Sequence, residues 1–255
     1  MNSVQLRRWI FPTLLVLIGS VVCARLGIWQ LDRLAQRRDF NAHYLQMKSS
    51  EPLLLPVLDD LTGMEYRAVV ASGVFDHSNQ VAIRNQYFDG QYGFHLLTPL
   101  ILEGGTAVLV DRGWIPAEGN STPEGWSRYD EIGPVTVEGV IRLAREKADF
   151  TGKSDPELSG NQVKLDYWLF PNLLRIQEQV EFELLPVYVQ RNPKPGVDML
   201  PIPVQPEIEI SEGPHFGYAL QWFAFSAILF IGYPFYLKKQ LKIDPNGMNT
   251  GEVKK

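Results

Sequence analysis

Two apolar blocks dominate the hydropathy pattern, one near each end of the chain. The second runs from Phe216 to Leu237, 22 residues without a charge. At about 1.5 Å per residue it reaches roughly 33 Å, enough to cross the hydrocarbon core of a bilayer. Tyr, Trp and Phe crowd its ends as in an aromatic belt. A soluble helix of this length would carry a polar stripe, and this one has none. Pro234 falls in its last turn, where it kinks rather than ends a helix. The first block runs from Trp9 to Trp29 and is interrupted only by Arg25, close enough to one end for its side chain to snorkel to the interface. A cleaved signal peptide is the competing reading, from Arg7, Arg8 and Val22-Cys-Ala24. The run is longer than a typical signal core, and Trp29-Gln-Leu-Asp-Arg33 continues it as helix. Lipid attachment at Cys23 is disfavoured by the bulk of Val22.

Between the blocks the pattern changes to short apolar runs separated by turn residues. Strands are predicted at Tyr66–Phe75, Gln80–Tyr87, Phe94–Leu102, Thr106–Ile115, Val135–Leu143 and Val187–Gln190. Asp76-His-Ser-Asn79, Asp89-Gly90 and Gly104-Gly105 separate them, the last as a hairpin turn. Residues 30–48 extend the first helix beyond the membrane, and Glu51-Pro-Leu-Leu-Leu-Pro56 reads as a linker. Leu173, Leu174, Ile176 and Val180 have helical spacing, so Asn172–Val180 is predicted as an amphipathic helix. Residues 117–131 and 151–163 read as polar loops. Pro193 to Pro206, with five prolines, reads as an extended strap. The expected fold class is an α+β membrane protein. Its parts are transmembrane helix 9–29, a mainly antiparallel β domain (a twisted sheet or barrel-like) over 30–215, transmembrane helix 216–237 and a tail over 238–255.

Charge orients this arrangement. Residues 1–8 and 238–255 hold seven Lys/Arg against two Asp/Glu, while 30–215 holds 16 against 27. Basic tails stay cytoplasmic, so both termini face in and the acidic domain faces out. Arg33, Arg37 and Arg38 oppose this, lying just beyond the first helix on the outer side. An acidic outer domain repels phosphate, which excludes nucleic acid as a partner. Cys23 is the only cysteine, which excludes an intramolecular disulfide, a CxxC redox pair and a thiolate metal site. No nucleophile elbow, phosphate loop, HExxH or dinucleotide-binding glycine pattern is present, so no enzyme activity is expected.

Five segments in order resemble the Surfeit locus protein 1 family, membrane proteins that assist assembly of cytochrome c oxidase. They are Leu26-Gly-Ile-Trp-Gln-Leu-Asp-Arg33, Tyr66-Arg-Ala-Val-Val-Ala-Ser-Gly-Val-Phe-Asp-His77, Gly93-Phe-His-Leu-Leu-Thr-Pro99, Val108-Leu-Val-Asp-Arg-Gly-Trp-Ile-Pro116 and Pro214-His-Phe-Gly-Tyr-Ala-Leu-Gln-Trp-Phe223. Asp111 departs from a common asparagine, and Gly213-Pro214 from the usual polar pair. The resemblance implies delivery or stabilisation of haem a during its insertion into oxidase subunit I. It implies subunit I and the haem a synthesis machinery as partners alongside the lipid bilayer, and His215 as the residue implicated in transient haem a binding. An imidazole is a common axial iron ligand. A porphyrin at the membrane mouth would lie against Phe216, Tyr218, Ala219, Trp222 and Phe223. The bland alternative is an interfacial histidine at a helix start.

Helix order adds one expectation. The first helix runs outward past Arg25 and the second inward from His215, so both residues lie toward one membrane face. If the helices pack together, Arg25 is a candidate partner for a haem propionate; snorkelling to lipid phosphate is its alternative. His43 and His77 are expected to be solvated, and His95 to be a hydrogen-bonded structural residue. Strand-edge ion pairs are the better reading of Arg67, Arg84 and Arg112, with haem propionates or an acidic partner surface as the alternative. Gly113 is expected to allow a bulge or close approach, with Trp114 in the core. Two function classes remain: a haem-handling assembly factor, and a non-catalytic scaffold for oxidase subunits that never holds haem. No Ser- and Arg-rich transit segment is seen at the N-terminus, which favours a bacterial inner membrane.

Overall fold

The computed structural model describes residues 3–56, 60–144, 155, 157, 164–194, 196 and 199–243, with side chains from Trp9 to Leu241. Of the expected loop 151–163 only Asp155 and Glu157 are among them, and residues 244–255 of the tail lie outside. The chain divides into two compact units, Met1–Ala42 with Glu209–Lys255, and His43–Ile208.

The first unit is an antiparallel helix pair. Helix α1 (Ser3–Ser49) contributes all but its last turns. It pairs with α3 (His215–Ala227), which continues through a π-helical turn, Ile228–Gly232, into α4 (Tyr233–Ile243). Both helices are long and apolar enough to span a membrane. The second passes the expected end at Leu237. Pro234 lies just after the π turn and supplies no N–H to the turn before it; π turns often absorb such irregularities. Contacts along α1 recur every seven residues, the spacing of a helix–helix seam. The Thr13 hydroxyl lies 2.8 Å from that of Tyr233. Ser20 and Ser226 lie 3.1 Å apart through their hydroxyls, and each also donates to the other's carbonyl. Gly27 meets the ring of Phe223, Leu34 is buried, and Asn41 donates to the Ser211 carbonyl. Glycine and serine at the seam let the backbones approach closely.

The second unit is a β domain with strands β1 (Leu53–Leu55), β2 (Ala68–Phe75), β3 (Val81–Phe88), β4 (Gln91–Leu102), β5 (Ala107–Pro116), β6 (Pro134–Leu143), β7 (Tyr167–Trp168) and β8 (Leu184–Arg191). The order β2-β6-β8-β5-β4 closes because β4 also pairs with β2, through Gly73↔Leu102 to Phe75↔Leu100. The result is a five-stranded barrel, which removes its free edges. Gly73 sits at the closing seam, where a Cβ would lie 2.1 Å from the Ile101 carbonyl oxygen. The other half of β4 carries β3, and β3 carries β7, as an extension outside the ring.

Alternation along each strand divides the core. Val108 and Val110 of β5 point into the barrel with Val69, Val137, Ile141, Val187 and Val189. Ala107 and Leu109 point outward beneath α2 (Leu173–Gln177), which Asn172 caps with its side chain. A strand buried on both faces reads as a continuous apolar run, as β5 does.

Four expectations are corrected. Leu53–Leu55, taken as linker, is a short strand parallel to β2. The loop expected at 117–131 contains a 3₁₀ helix, Pro123–Tyr129, that buries Trp126 completely and binds its indole N–H to the Asn120 carbonyl at 2.9 Å. The helix expected over Asn172–Val180 is shorter, ending in a cap at Glu178. His77, expected to be solvated, has its Nε2 3.1 Å from the Glu131 carbonyl oxygen and its Nδ1 3.2 Å from Asp130.

Candidate functional site

His215 opens α3 without a side-chain cap from Pro214 before it. Its Nδ1 lies 2.8 Å from Oε1 of Gln30, a buried residue of α1. An amide oxygen only accepts, so Nδ1 carries the proton and, in the neutral ring, Nε2 keeps its lone pair free. This is the pattern by which a second group fixes a metal-binding histidine: one nitrogen held, the other presented. Gly213 lies beside that presented edge. A Cβ there would stand 3.4 Å from Cδ2 and 3.6 Å from Nε2 of His215, and its φ of +64° suits glycine. Tyr218 and Trp222 follow at i+3 and i+7 and so share the face of His215. Tyr218 is about half exposed and Trp222 half-buried, its ring 5.9 Å from that of Phe225 in an edge contact.

The segment before α3 is tied to α1 by charge. Arg37 donates to the Glu209 and Ser211 carbonyls, and Arg38 makes a two-pronged ion pair with Glu212, at 2.8 and 2.9 Å. Two of the arginines that oppose the expected orientation therefore serve structure within this unit.

Arg25 does not join the group. It is exposed, and it lies two residues before Gly27, about 200° round the helix from a seam position. Helix order places Arg25 and His215 toward one end, but the helical turn points Arg25 away from the partner helix. Among the described residues, no group of three or more His, Cys, Asp or Glu side chains converges.

In the β domain, His95 is the hydrogen-bonded structural residue expected. Its Nδ1 lies 2.9 and 3.0 Å from the two Asp111 oxygens, and Asp111 also accepts the Gly113 N–H at 3.1 Å. Burial pushes the His95 pKa down, but the charge of Asp111 and the bond to it outweigh this and raise it above the ordinary histidine value. Gly113 does mark a bulge. Leu96 pairs with Gly113 and Leu97 with Asp111, so Arg112 is the extra residue. Arg112 makes the expected ion pair, with Glu131 at 3.2 Å, but it is fully buried rather than at a strand edge.

Fold and site together define a two-pass membrane protein: a paired-helix anchor that presents one imidazole nitrogen, and a closed five-stranded β-barrel. The profile of the SURF1 family matches residues 17–227, and the chain belongs to that family. It is 26% identical to a SURF1-like protein of Monosiga brevicollis, over 86% of this chain and 85% of that one. It is 25% identical to Surfeit locus protein 1 of Homo sapiens, over 83% and 73%. A SURF1-like protein of Rickettsia felis is also 25% identical, over 90% and 98%. Arg25, Gln30, His215, Tyr218 and Trp222 all fall inside the family match.

Proposed function

We propose that this protein is a non-enzymatic assembly factor for haem-copper cytochrome c oxidase that holds haem a transiently for insertion into subunit I. In this reading it sits in a bacterial inner membrane with both termini cytoplasmic and the barrel periplasmic. Its partners are subunit I, the haem a synthesis machinery and the bilayer.

One observation carries the reading. His215 is held through Nδ1 by Gln30, which leaves the lone pair of the neutral ring on Nε2. When bound, haem a supplies an iron that accepts an imidazole nitrogen and a broad apolar ring edge. Gln30 fixes the ring plane and tautomer of His215. Tyr218 and Trp222 offer aromatic surface on the same helix face. Arg25, turned away from that face, reaches lipid headgroups instead of a propionate.

The scaffold reading keeps one supporting observation, since the His215–Gln30 bond also ties α3 to α1 and needs no haem for that. Deletion of the gene in cells that make haem a separates the readings. A haem-holding role gives a reduced oxidase haem a band in isolated membranes, restored by the wild-type gene and only partly by His215→Ala. Full restoration by His215→Ala favours the scaffold. An undiminished band in the deletion strain removes the oxidase role altogether.

A further inference from the structure

The bulge in β5 does more than bend a strand. It places Arg112 in the lining of a cleft of about 290 Å³, together with Met199, Leu200, Pro201 and Pro203 of the strap and a set of charged side chains. The strap is pinned there by two backbone hydrogen bonds between Trp114 and Ile202, at 2.7 and 2.8 Å.

Glu131 is the hub of the charged wall. Arg191 grips it with two nitrogens at 2.6 and 3.0 Å, and Arg112 donates to it from Nε at 3.2 Å. Arg112 is 0% exposed, donates to the Tyr129 carbonyl, and lies 5.1 Å from the Phe75 ring centroid. Its remaining nitrogen, Nη1, is buried without a hydrogen-bond partner. Buried guanidinium nitrogens are rarely left so, because the unmet donor keeps its desolvation cost. Burial and the neighbouring Arg191 weaken its hold on its proton, against the pull of Glu131. Arg128 and Lys194 line the same cleft. Four cations thus face Asp130 and Glu131, a local surplus of two positive charges, in a stretch of chain whose acidic residues outnumber its basic ones 27 to 16.

We infer that this cleft binds a carboxylate carried on a compact apolar body. The arginine fork on Glu131 shows that the wall accepts carboxylate geometry, and Arg128 and Lys194 supply charge that Glu131 does not neutralise. The apolar part of the lining decides against phosphate. Met199 leaves 76% of its surface exposed. An apolar body buries that surface, whereas an anion hydrated on every side gains nothing from it. The site lies wholly within the β domain, and its occupancy does not depend on haem or on His215.

Benzoate, benzamide and inorganic phosphate serve as probes, titrated against the full-length protein in nonionic detergent by ligand-observed NMR. Benzoate binds with Kd on the order of 1 mM, as suits so small a ligand, while benzamide and phosphate bind at least tenfold more weakly. Arg128→Gln combined with Lys194→Gln weakens benzoate about tenfold. Both positions are exposed, so the near-UV tryptophan spectrum checks that the fold is kept. Equal binding of benzoate and benzamide, tighter binding of phosphate, no binding of benzoate at all, or an unchanged benzoate Kd in the folded double variant each overturns the assignment.

Discussion

Replacing Gly113 by alanine puts a methyl group where the strap's backbone already is. The added Cβ would stand 2.3 Å from the Ile202 carbonyl carbon and oxygen and 2.5 Å from the Pro203 nitrogen, contacts that force something to move. The φ of +128° adds strain for any L side chain. A disfavoured backbone region costs about 1–3 kcal/mol, and overpacking a rigid contact costs about 1–3 kcal/mol more. A central value of about 3 kcal/mol, at roughly 2–4 °C per kcal/mol for a domain of this size, lowers Tm by about 6–12 °C. Gly105→Ala is the control. Its φ is +88°, but nothing lies within 4 Å of its Cβ, so only the strain of about 1 kcal/mol applies, a drop of about 2–4 °C. Near-UV circular dichroism follows unfolding of both variants in detergent through the buried Trp114, Trp126 and Trp168. Melting of Gly113→Ala within about 2 °C of Gly105→Ala would refute the claim that the strap is seated on the bulge.

Three further outcomes follow from the geometry. With Cys23 replaced by alanine, Ser20→Cys and Ser226→Cys crosslink within one chain under mild oxidant, because their hydroxyls lie 3.1 Å apart; absence of a crosslink on gel mobility after proteolysis between the helices contradicts the helix register. His95 has a raised folded-state pKa, so its contribution to stability is full below about pH 6.5, its unfolded value, and fades as pH rises through the folded one. Asp111→Asn keeps an acceptor for Gly113 but removes the charge, and should flatten that fall between slightly acidic and slightly alkaline pH; parallel denaturation profiles for the two proteins would show that Asp111 does not tune His95. Reporter fusions at Asn120 and Met248 should report opposite compartments, and a shared compartment removes the two-span topology.

The parts of the fold that were legible in the sequence are those where burial leaves a pattern. Val108, Val110, Ala107 and Leu109 form one apolar run because β5 is covered on both faces, and the run alone located the strand. Closure of the barrel was not legible in detail, since it rests on β4 pairing with both β3 and β2 along one long strand. Leu53–Leu55 was hidden by its flanking prolines, and Tyr167–Trp168 by its length of two residues. Trp126 was hidden by the polar, Gly- and Ser-rich residues around it, although a lone tryptophan in such a segment is itself a signal of burial. The place of His215 at the start of an apolar helix was legible from the hydropathy pattern and from the family segment. Gln30, 185 positions away, was not, because its contact exists only once the helices pair. Arg25 shows the converse: helix order places it at the same end as His215, while the turn of the helix leaves it exposed on another side.

In the function proposed above, His215, fixed by Gln30, presents Nε2 to haem a. The most direct measurement is the visible spectrum of the full-length protein purified in detergent from cells that make haem a, for the wild type, His215→Ala and Gln30→Leu. The expected result is a haem a spectrum in the wild type, its loss or a changed ligation in His215→Ala, and reduced occupancy in Gln30→Leu, whose histidine is present but unfixed. A wild-type spectrum retained in His215→Ala, or no haem in the wild type when haem a is plentiful, contradicts it.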